Sequence, residues 1–227
     1  MAELHKFAGN AFSQDGTDGV IAKIFSLLPD RDDWCAEFGA WDGIHLSNTR
    51  NFILQGYSAV LIEEDPTKFR ELCRNYASNP NVHPINDSVH LDNLESLLAT
   101  IPIPKNFDLL SIDIDGYDWH VWDSMKAYRP KVVCIEFNPT IPTEVDYVQA
   151  RDESVAIGSS LAATARLAKS KGYELVCVLA FNAIYVDAPY FPLFDIADNS
   201  PLALRWDNSA VTYIFCGYDG SINLVGC

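Results

Sequence analysis

Short, continuously apolar runs alternate along this chain with stretches whose apolar residues recur every three or four positions. The first kind predicts strands buried on both faces, the second amphipathic helices. A helix over 19–28 is followed by a strand at 34–38, a helix near 46–55 and a strand at 59–63. Pro66 suits a first helical position and opens a helix over 66–77. A strand at 82–85 and a helix over 91–99 follow, the latter with Leu91, Leu94, Leu97 and Leu98 on one face. The pattern continues with a strand at 109–114, a short helix at 119–125, a strand at 132–137, a helix at 160–171 and a strand at 174–179. Further strands fall at 183–186 and 211–215.

Helices between apolar strands imply a mostly parallel sheet covered on both faces. The strands at 174–179 and 183–186 are too close for a crossover helix, so they form an antiparallel hairpin at the sheet edge. No repeat, low-complexity tract or Gly/Ser linker divides residues 1–227. One domain is expected, with an N-terminal helical segment over 1–30 and a C-terminal extension over 188–227. Within that extension Tyr218-Asp219-Gly220-Ser221 reads as a hairpin turn. Gly158-Ser159-Ser160 reads as a helix cap.

The 31 acidic and 16 basic residues give a net charge of -15, spread through both halves of the chain. Phosphate neutralisation needs a basic patch, so nucleic acid is not an expected partner. The longest apolar run, 175–181, is strand-sized and far short of a membrane span. The first residues lack the pattern of a signal peptide, there is no Cys-x-x-Cys, and Cys35, Cys134, Cys177 and Cys216 fall in apolar strand-like runs. Buried reduced thiols and a cytoplasmic protein are the expectation.

Ligands in such sheets bind beyond the carboxyl ends of the strands. Four of those ends carry unusual residues. After the first strand, Glu37-Phe38-Gly39-Ala40-Trp41-Asp42-Gly43 supplies glycines for a tight turn and close approach of a ligand, without the phosphate-cradling glycine pattern. After the second, Glu63 lies where a carboxylate can accept from ribose hydroxyls, while Glu64 and Asp65 suit a helix N-terminus. The fourth ends in Asp113-Ile114-Asp115-Gly116-Tyr117-Asp118 and the fifth in Glu136-Phe137-Asn138. If strand geometry continues to Asp115, Asp113 and Asp115 share a side, as do Glu136 and Asn138. Asp113, Asp115, Glu136 and Asn138 are then a set of hard oxygen ligands suited to Mg2+. Caps and turns are the bland explanation, Asp118 as a helix cap among them. Trp41, Trp119 and Trp122 are either core or a wall for a planar or sugar substrate.

Together these motifs resemble class I S-adenosylmethionine-dependent methyltransferases, and within them the FkbM-type family. The family's strand-four motif is similar to 112–118, with Asp standing twice for Glu. Its Glu-Pro-x-Pro resembles Glu63-Glu64-Asp65-Pro66, and its opening motif resembles Ser13-Gln14-Asp15-Gly16-Thr17-Asp18. The resemblance spans about 13–186 and implies a Rossmann-like α/β fold. It also implies that Glu37, Gly39, Ala40 and Gly43 frame the methionine end of S-adenosyl-L-methionine and that Glu63 and Glu64 meet its ribose. Asn86 or Asp87 then lies near adenine, with Gln14 and Asp113 completing the pocket.

The expected reaction is O-methylation of a small-molecule or sugar hydroxyl. Such a hydroxyl needs a base or a metal, which assigns catalysis to Asp113, Asp115 and His120, with His45 a second candidate base. Homo-oligomerisation is a further expectation. Two other readings stay open. Asp113-Ile114-Asp115-Gly116 resembles the Asp-x-Asp-Gly core of haloacid-dehalogenase-type phosphohydrolases. The fold could also serve a non-catalytic cofactor-binding protein.

Overall fold

The computed structural model describes residues 3–152 and 155–225. A 3-10 turn at Leu4–Phe7 precedes α1 (Thr17–Leu27), β1 (Trp34–Phe38), α2 (Arg50–Ile53), β2 (Ser58–Glu63), α3 (Pro66–Asn75) and β3 (Val82–Asn86). Next come α4 (Leu94–Leu98), β4 (Leu109–Ile112), α5 (Asp118–Ser124), β5 (Val132–Glu136), α6 (Leu161–Ser170), β6 (Tyr173–Val178) and β7 (Asn182–Asp187). A second 3-10 segment (Ala188–Phe194), α7 (Pro201–Leu204), β8 (Tyr213–Cys216) and β9 (Ile222–Val225) complete the chain.

Seven strands form one sheet in the order β3-β2-β1-β4-β5-β7-β6. The pairs from β3 to β5 are parallel, and β7 runs antiparallel to both neighbours. The expected hairpin is therefore present, but its antiparallel strand is inserted beside β5 and leaves β6 at the edge. Alternation along β2 sends Ala59 and Leu61 into one core layer and Val60 and Ile62 into the other. The first layer packs under α1 through Val20, Ile21, Ile24 and Phe25, the second under α4, α5 and α6 through Leu94, Trp122 and Leu167. Both faces are thus covered, as the apolar strands require.

Local chemistry sets the helix starts. Asp65 accepts from Thr67 N and Lys68 N ahead of Pro66, and Ser160 accepts from Ala163 N. Several expected elements are shorter than their apolar pattern suggests. The helix over 46–55 is reduced to Arg50–Ile53, because Ser47, Asn48 and Thr49 turn to bind Glu37. The strand over 109–114 stops at Ile112, so strand parity is not what groups Asp113 with Asp115. Cys216 is exposed, contrary to its apolar surroundings in sequence, whereas Cys35, Cys134 and Cys177 are buried free thiols. Among the described residues, no helix is long and apolar enough to cross a membrane.

At the amino edge of the sheet, Lys131 and Asp108 are buried as an ion pair, with Nζ 2.8 Å from Oδ1 and 2.9 Å from Asp32 Oδ2. Asp108 also accepts from the backbone N–H groups of Asp32 and Asp33. The pair thereby joins the starts of β1, β4 and β5. Removing one partner strands a buried charge, so Lys131→Met is expected to lower the unfolding free energy by about 3–5 kcal/mol in urea titration. A loss within ~0.5 kcal/mol, the range of an ordinary surface substitution, would refute that role.

Candidate active site

The carboxyl edge of the sheet is built from loops folded onto carboxylates. Glu37, buried at the end of β1, accepts from Ser47 Oγ at 2.7 Å, Asn48 N at 2.8 Å and Thr49 Oγ1 at 2.6 Å. Burial nevertheless outweighs these bonds and raises its pKa to about 7. Asn48 Nδ2 in turn donates to Ser111 Oγ on β4. On β2, Glu63 is buried and receives Trp41 N at Oε2 and Asp65 N at Oε1, both at 2.7 Å. Each oxygen keeps acceptor capacity for a further donor.

The two glycines of this turn serve the protein itself. A Cβ on Gly39 (φ 77°) would collide with the backbone carbonyl oxygen of Asp113, and one on Gly43 (φ 73°) with Leu72 and Tyr76. Close approach is thus required between the β1 turn and β4 before any ligand arrives. Gly39 N and Ala40 N both donate to Ile62 O. Trp41 holds the left-handed region (φ 50°), is 46% exposed, and has Lys68 Nζ 4.7 Å from its ring centre. It is the one exposed member of the expected aromatic wall. Trp122 is core, and Trp119 Nε1 donates to Ala163 O.

Asn86 spends its amide hydrogens on the carbonyls of Glu63 and Glu64, and Glu64 accepts from Ser88 Oγ. Asp87 and Gln14 are exposed. Beside Gln14 it is Asp15 that reaches inward. It accepts from Phe181 N, and its charge raises the pKa of Asp113. Asp18 gathers the N–H groups of Ala11, Phe12 and Ser13 and so folds the same segment.

Across the edge, ligand oxygens of Asp113, Asp115 and Glu136 all lie within 4.8 Å of one another. The turn that achieves this places Asp115 at φ 55° and Gly116 at φ 124°. Asp118 closes the turn by accepting from Ile114 N and Gly116 N, each at 2.9 Å, and does not cap the helix as expected. Burial and mutual repulsion push these acids up: Asp113 to about 6, Asp118 to about 7 and Glu136 to about 9. Glu136 faces Asp113, whose charge, after burial, is the strongest influence raising it. A cavity of about 130 Å3 adjoins the cluster, lined by Asp115, Glu136, Asn138, Ala156 and Ile157 among others.

Asn138 lines that cavity with its amide committed to a local turn, donating to Ile157 O and accepting from Thr140 N and Oγ1. His120 is buried under the segment that follows β5. Its Nε2 lies 2.7 Å from Gln149 O, an acceptor, which makes Nε2 the protonated nitrogen and leaves Nδ1 buried without a partner. His45 is exposed.

Gln149 and Arg205, which hold that segment, carry no signal in the residue pattern. Gln149 Oε1 accepts from Ile157 N and Gly158 N, and its side chain fills the space a Cβ on Gly116 would need. Arg205, 6% exposed, donates to the carbonyls of Pro139, Ile141 and Asp207 and to Thr143 Oγ1, and lies over the Phe137 ring.

A central parallel sheet, one inserted antiparallel strand and an acidic carboxyl edge define a Rossmann-like methyltransferase fold. Solved structures of the N-terminal domain of EvdMO1 share it. The form with SAH bound is 14% identical over 78% of this chain and 82% of that one, with a TM-score of 0.50. The form with SAH and D-fucose is also 14% identical, over 75% and 82%, at 0.51. At such identity the likeness is one of fold. The family model described as methyltransferase FkbM domain matches residues 43–175, more than half of the chain. The chain belongs to that family and is an S-adenosylmethionine-dependent methyltransferase. Comparison with curated protein sequences gives no match. The matched span contains the Asp113–Gly116 motif, which decides against the phosphohydrolase reading, and it excludes the Ser13–Asp18 opening.

The raised acids predict a pH dependence with a definite sign. Glu37, Asp113, Asp118 and Glu136 hold protons in the fold that the unfolded chain releases near pH 4, so their contribution is complete below that pH. It is lost as pH rises through about 6 to about 9. The ligand-free protein should therefore melt at lower temperature at pH 9 than at pH 5.5, and Glu136→Gln should flatten the upper part of the decline. A melting temperature that climbs over this range would contradict the assignment.

Proposed function

We propose that the enzyme methylates a hydroxyl oxygen of a small molecule or sugar, assisted by a divalent cation such as Mg2+. The observation that carries the reading is the Asp113–Asp115–Glu136 cluster, three oxygen ligands beside a cavity and without a basic partner in the set. A bound divalent cation would relieve the mutual repulsion that raises these acids. The two functional halves adjoin, because Gly39 touches the carbonyl oxygen of Asp113.

S-adenosylmethionine supplies a methyl group activated by a neighbouring sulfonium. Glu63 offers the free lone pairs of a buried carboxylate to ribose hydroxyls, beside Glu64. The Gly39–Gly43 turn and Glu37 frame the methionine end, where buried negative charge suits a sulfonium. Asn86, Asp87 and Gln14 are kept as cofactor contacts through backbone or rearranged side chains, since their observed side-chain positions are committed or exposed. Asp113, Asp115 and Glu136 would hold the cation, which would supply a lowered pKa for the acceptor hydroxyl. Asn138 joins them only if its amide leaves the Thr140 turn, and Asp113 and Asp115 also orient the acceptor. His120 is the reserve base, its Nδ1 without a hydrogen-bond partner among the described residues. The EvdMO1 form with D-fucose supports a sugar acceptor, and the free thiols support a reducing cytoplasm.

Calorimetry with S-adenosylhomocysteine tests the donor side. Glu63→Gln is expected to weaken binding by roughly 10- to 100-fold, the worth of hydrogen bonds to a charged group. Undiminished affinity would remove Glu63 from the site. On the acceptor side, a panel of free sugars and phenols should reveal turnover that needs Mg2+ and is lost in Asp113→Asn. Full activity in chelator would discard the metal while leaving the donor assignment standing.

A further inference from the structure

S-adenosylmethionine ends in an ammonium and a carboxylate, and the acids at the β1 turn suit the ammonium and the sulfonium alone. A carboxylate brought to an edge that carries Glu37, Asp42 and Glu63 needs a cation beside it. Lys68, which lies over the Trp41 ring, is paired with Glu71 at 2.9 Å. Arg50 is differently placed. It is the first residue of α2, and its N–H donates to Ser47 Oγ, which in turn donates to Glu37. Its backbone therefore adjoins the turn that Glu37 holds.

The Arg50 guanidinium lies between two rings, 5.2 Å from the centre of Phe12 and 5.4 Å from that of Tyr76. Tyr76 Oη donates to Gly43 O, which puts the cation near the second glycine of the turn. Phe12 is delivered by the N-terminal segment, whose amides Asp18 gathers and whose Ser13 pairs with Leu46. Among the described residues no carboxylate comes within ion-pair distance of Arg50, in a chain of net charge -15. Its Nε is buried without a hydrogen-bond partner. An unpartnered buried donor on a cation is costly, and a carboxylate is the acceptor that offsets it best.

We propose that Arg50 receives the α-carboxylate of the methionine moiety of S-adenosylmethionine and so positions the methyl donor. The inference rests on the donor site proposed above and supplies the one charge of the ligand that the site otherwise leaves unmatched. A guanidinium presents planar pairs of donors that match a carboxylate through two parallel bonds. The two flanking rings restrict the side chain before the ligand arrives, so little rotamer freedom is lost on binding. With Arg50 at the carboxylate and Glu37 near the ammonium and sulfonium, the amino-acid end is seated in one sense only. Stacking alone also accounts for a guanidinium between two rings. It gives the ligand's carboxylate no part, and that is the difference to measure.

Calorimetry on the full chain compares S-adenosylhomocysteine with its decarboxylated form, two ligands that differ in the carboxylate alone. Wild type should bind the decarboxylated form roughly 10- to 100-fold more weakly, the worth of hydrogen bonds between charged groups. Arg50→Gln should lose a similar factor toward S-adenosylhomocysteine and should no longer distinguish the two ligands, as coupled partners do in a double-mutant cycle. Arg50→Lys keeps the charge and should retain part of the preference, and it carries the comparison if Arg50→Gln melts early. Lys68→Met should retain all of it. A wild type that binds both ligands equally, or an Arg50→Gln protein that keeps the preference, would overturn the assignment while leaving the donor site in place. A wild type that binds neither ligand would overturn the donor site and the assignment with it.

Discussion

Carboxylates that accept backbone N–H groups hold together the functional edge of this protein. Glu37 fixes the 47–49 turn, Glu63 ties Trp41 to Asp65, Asp118 closes the turn at 113–116, and Asp18 gathers 11–13. In each case a negative side chain takes the place that a strand or helix partner would fill for those amides. The chain needs few cations there because the backbone supplies the donors. The cost is electrostatic: packed at three neighbouring strand ends, Glu37, Asp118 and Glu136 hold protons well above the ordinary carboxylate range. A positively charged ligand at this edge would relieve that repulsion.

Much of this was legible beforehand because the strands are apolar and the motifs sit at their ends. The boundaries of β1 follow directly from its apolar run, and the short connection at 179–182 required the β6–β7 hairpin. Position in the sheet was less visible. Nothing local distinguishes β7 as the strand inserted beside β5, since that depends on pairing between residues some fifty positions apart in sequence. Asp113, Asp115 and Glu136 do converge, but by a left-handed turn at Asp115 and not by strand parity. Ser47, Asn48 and Thr49 read as the start of a helix, yet their hydroxyls and amide go to Glu37. Gln149 and Arg205 could not be found from pattern, because each acts on backbone carbonyls or amides of distant segments.

The two halves of the edge differ in what restrains them. The β1–β2 half is fixed by contacts within the sheet and by α3, through Tyr76 Oη donating to Gly43 O. The β5 half is fixed by long side chains reaching across: Gln149 to Ile157 and Gly158, and Arg205 to Pro139 and Ile141. The β1–β2 half is consequently braced by secondary structure, whereas the segment over the acidic cluster is braced by individual side chains.

Arg205 lies thirty residues past the end of the family-matched span at 175. Its guanidinium nonetheless grips the carbonyls on which the shape of the 137–143 turn depends. Tail and core are thus joined on this side through Arg205, and also through Thr212 N, which donates to Thr140 O, and Thr143 Oγ1, which bonds Asn208 Oδ1. Variation in the tail can therefore reshape the 137–143 turn while the Glu63 carboxylate, held by amides of the β1 and β2 loops, keeps its place.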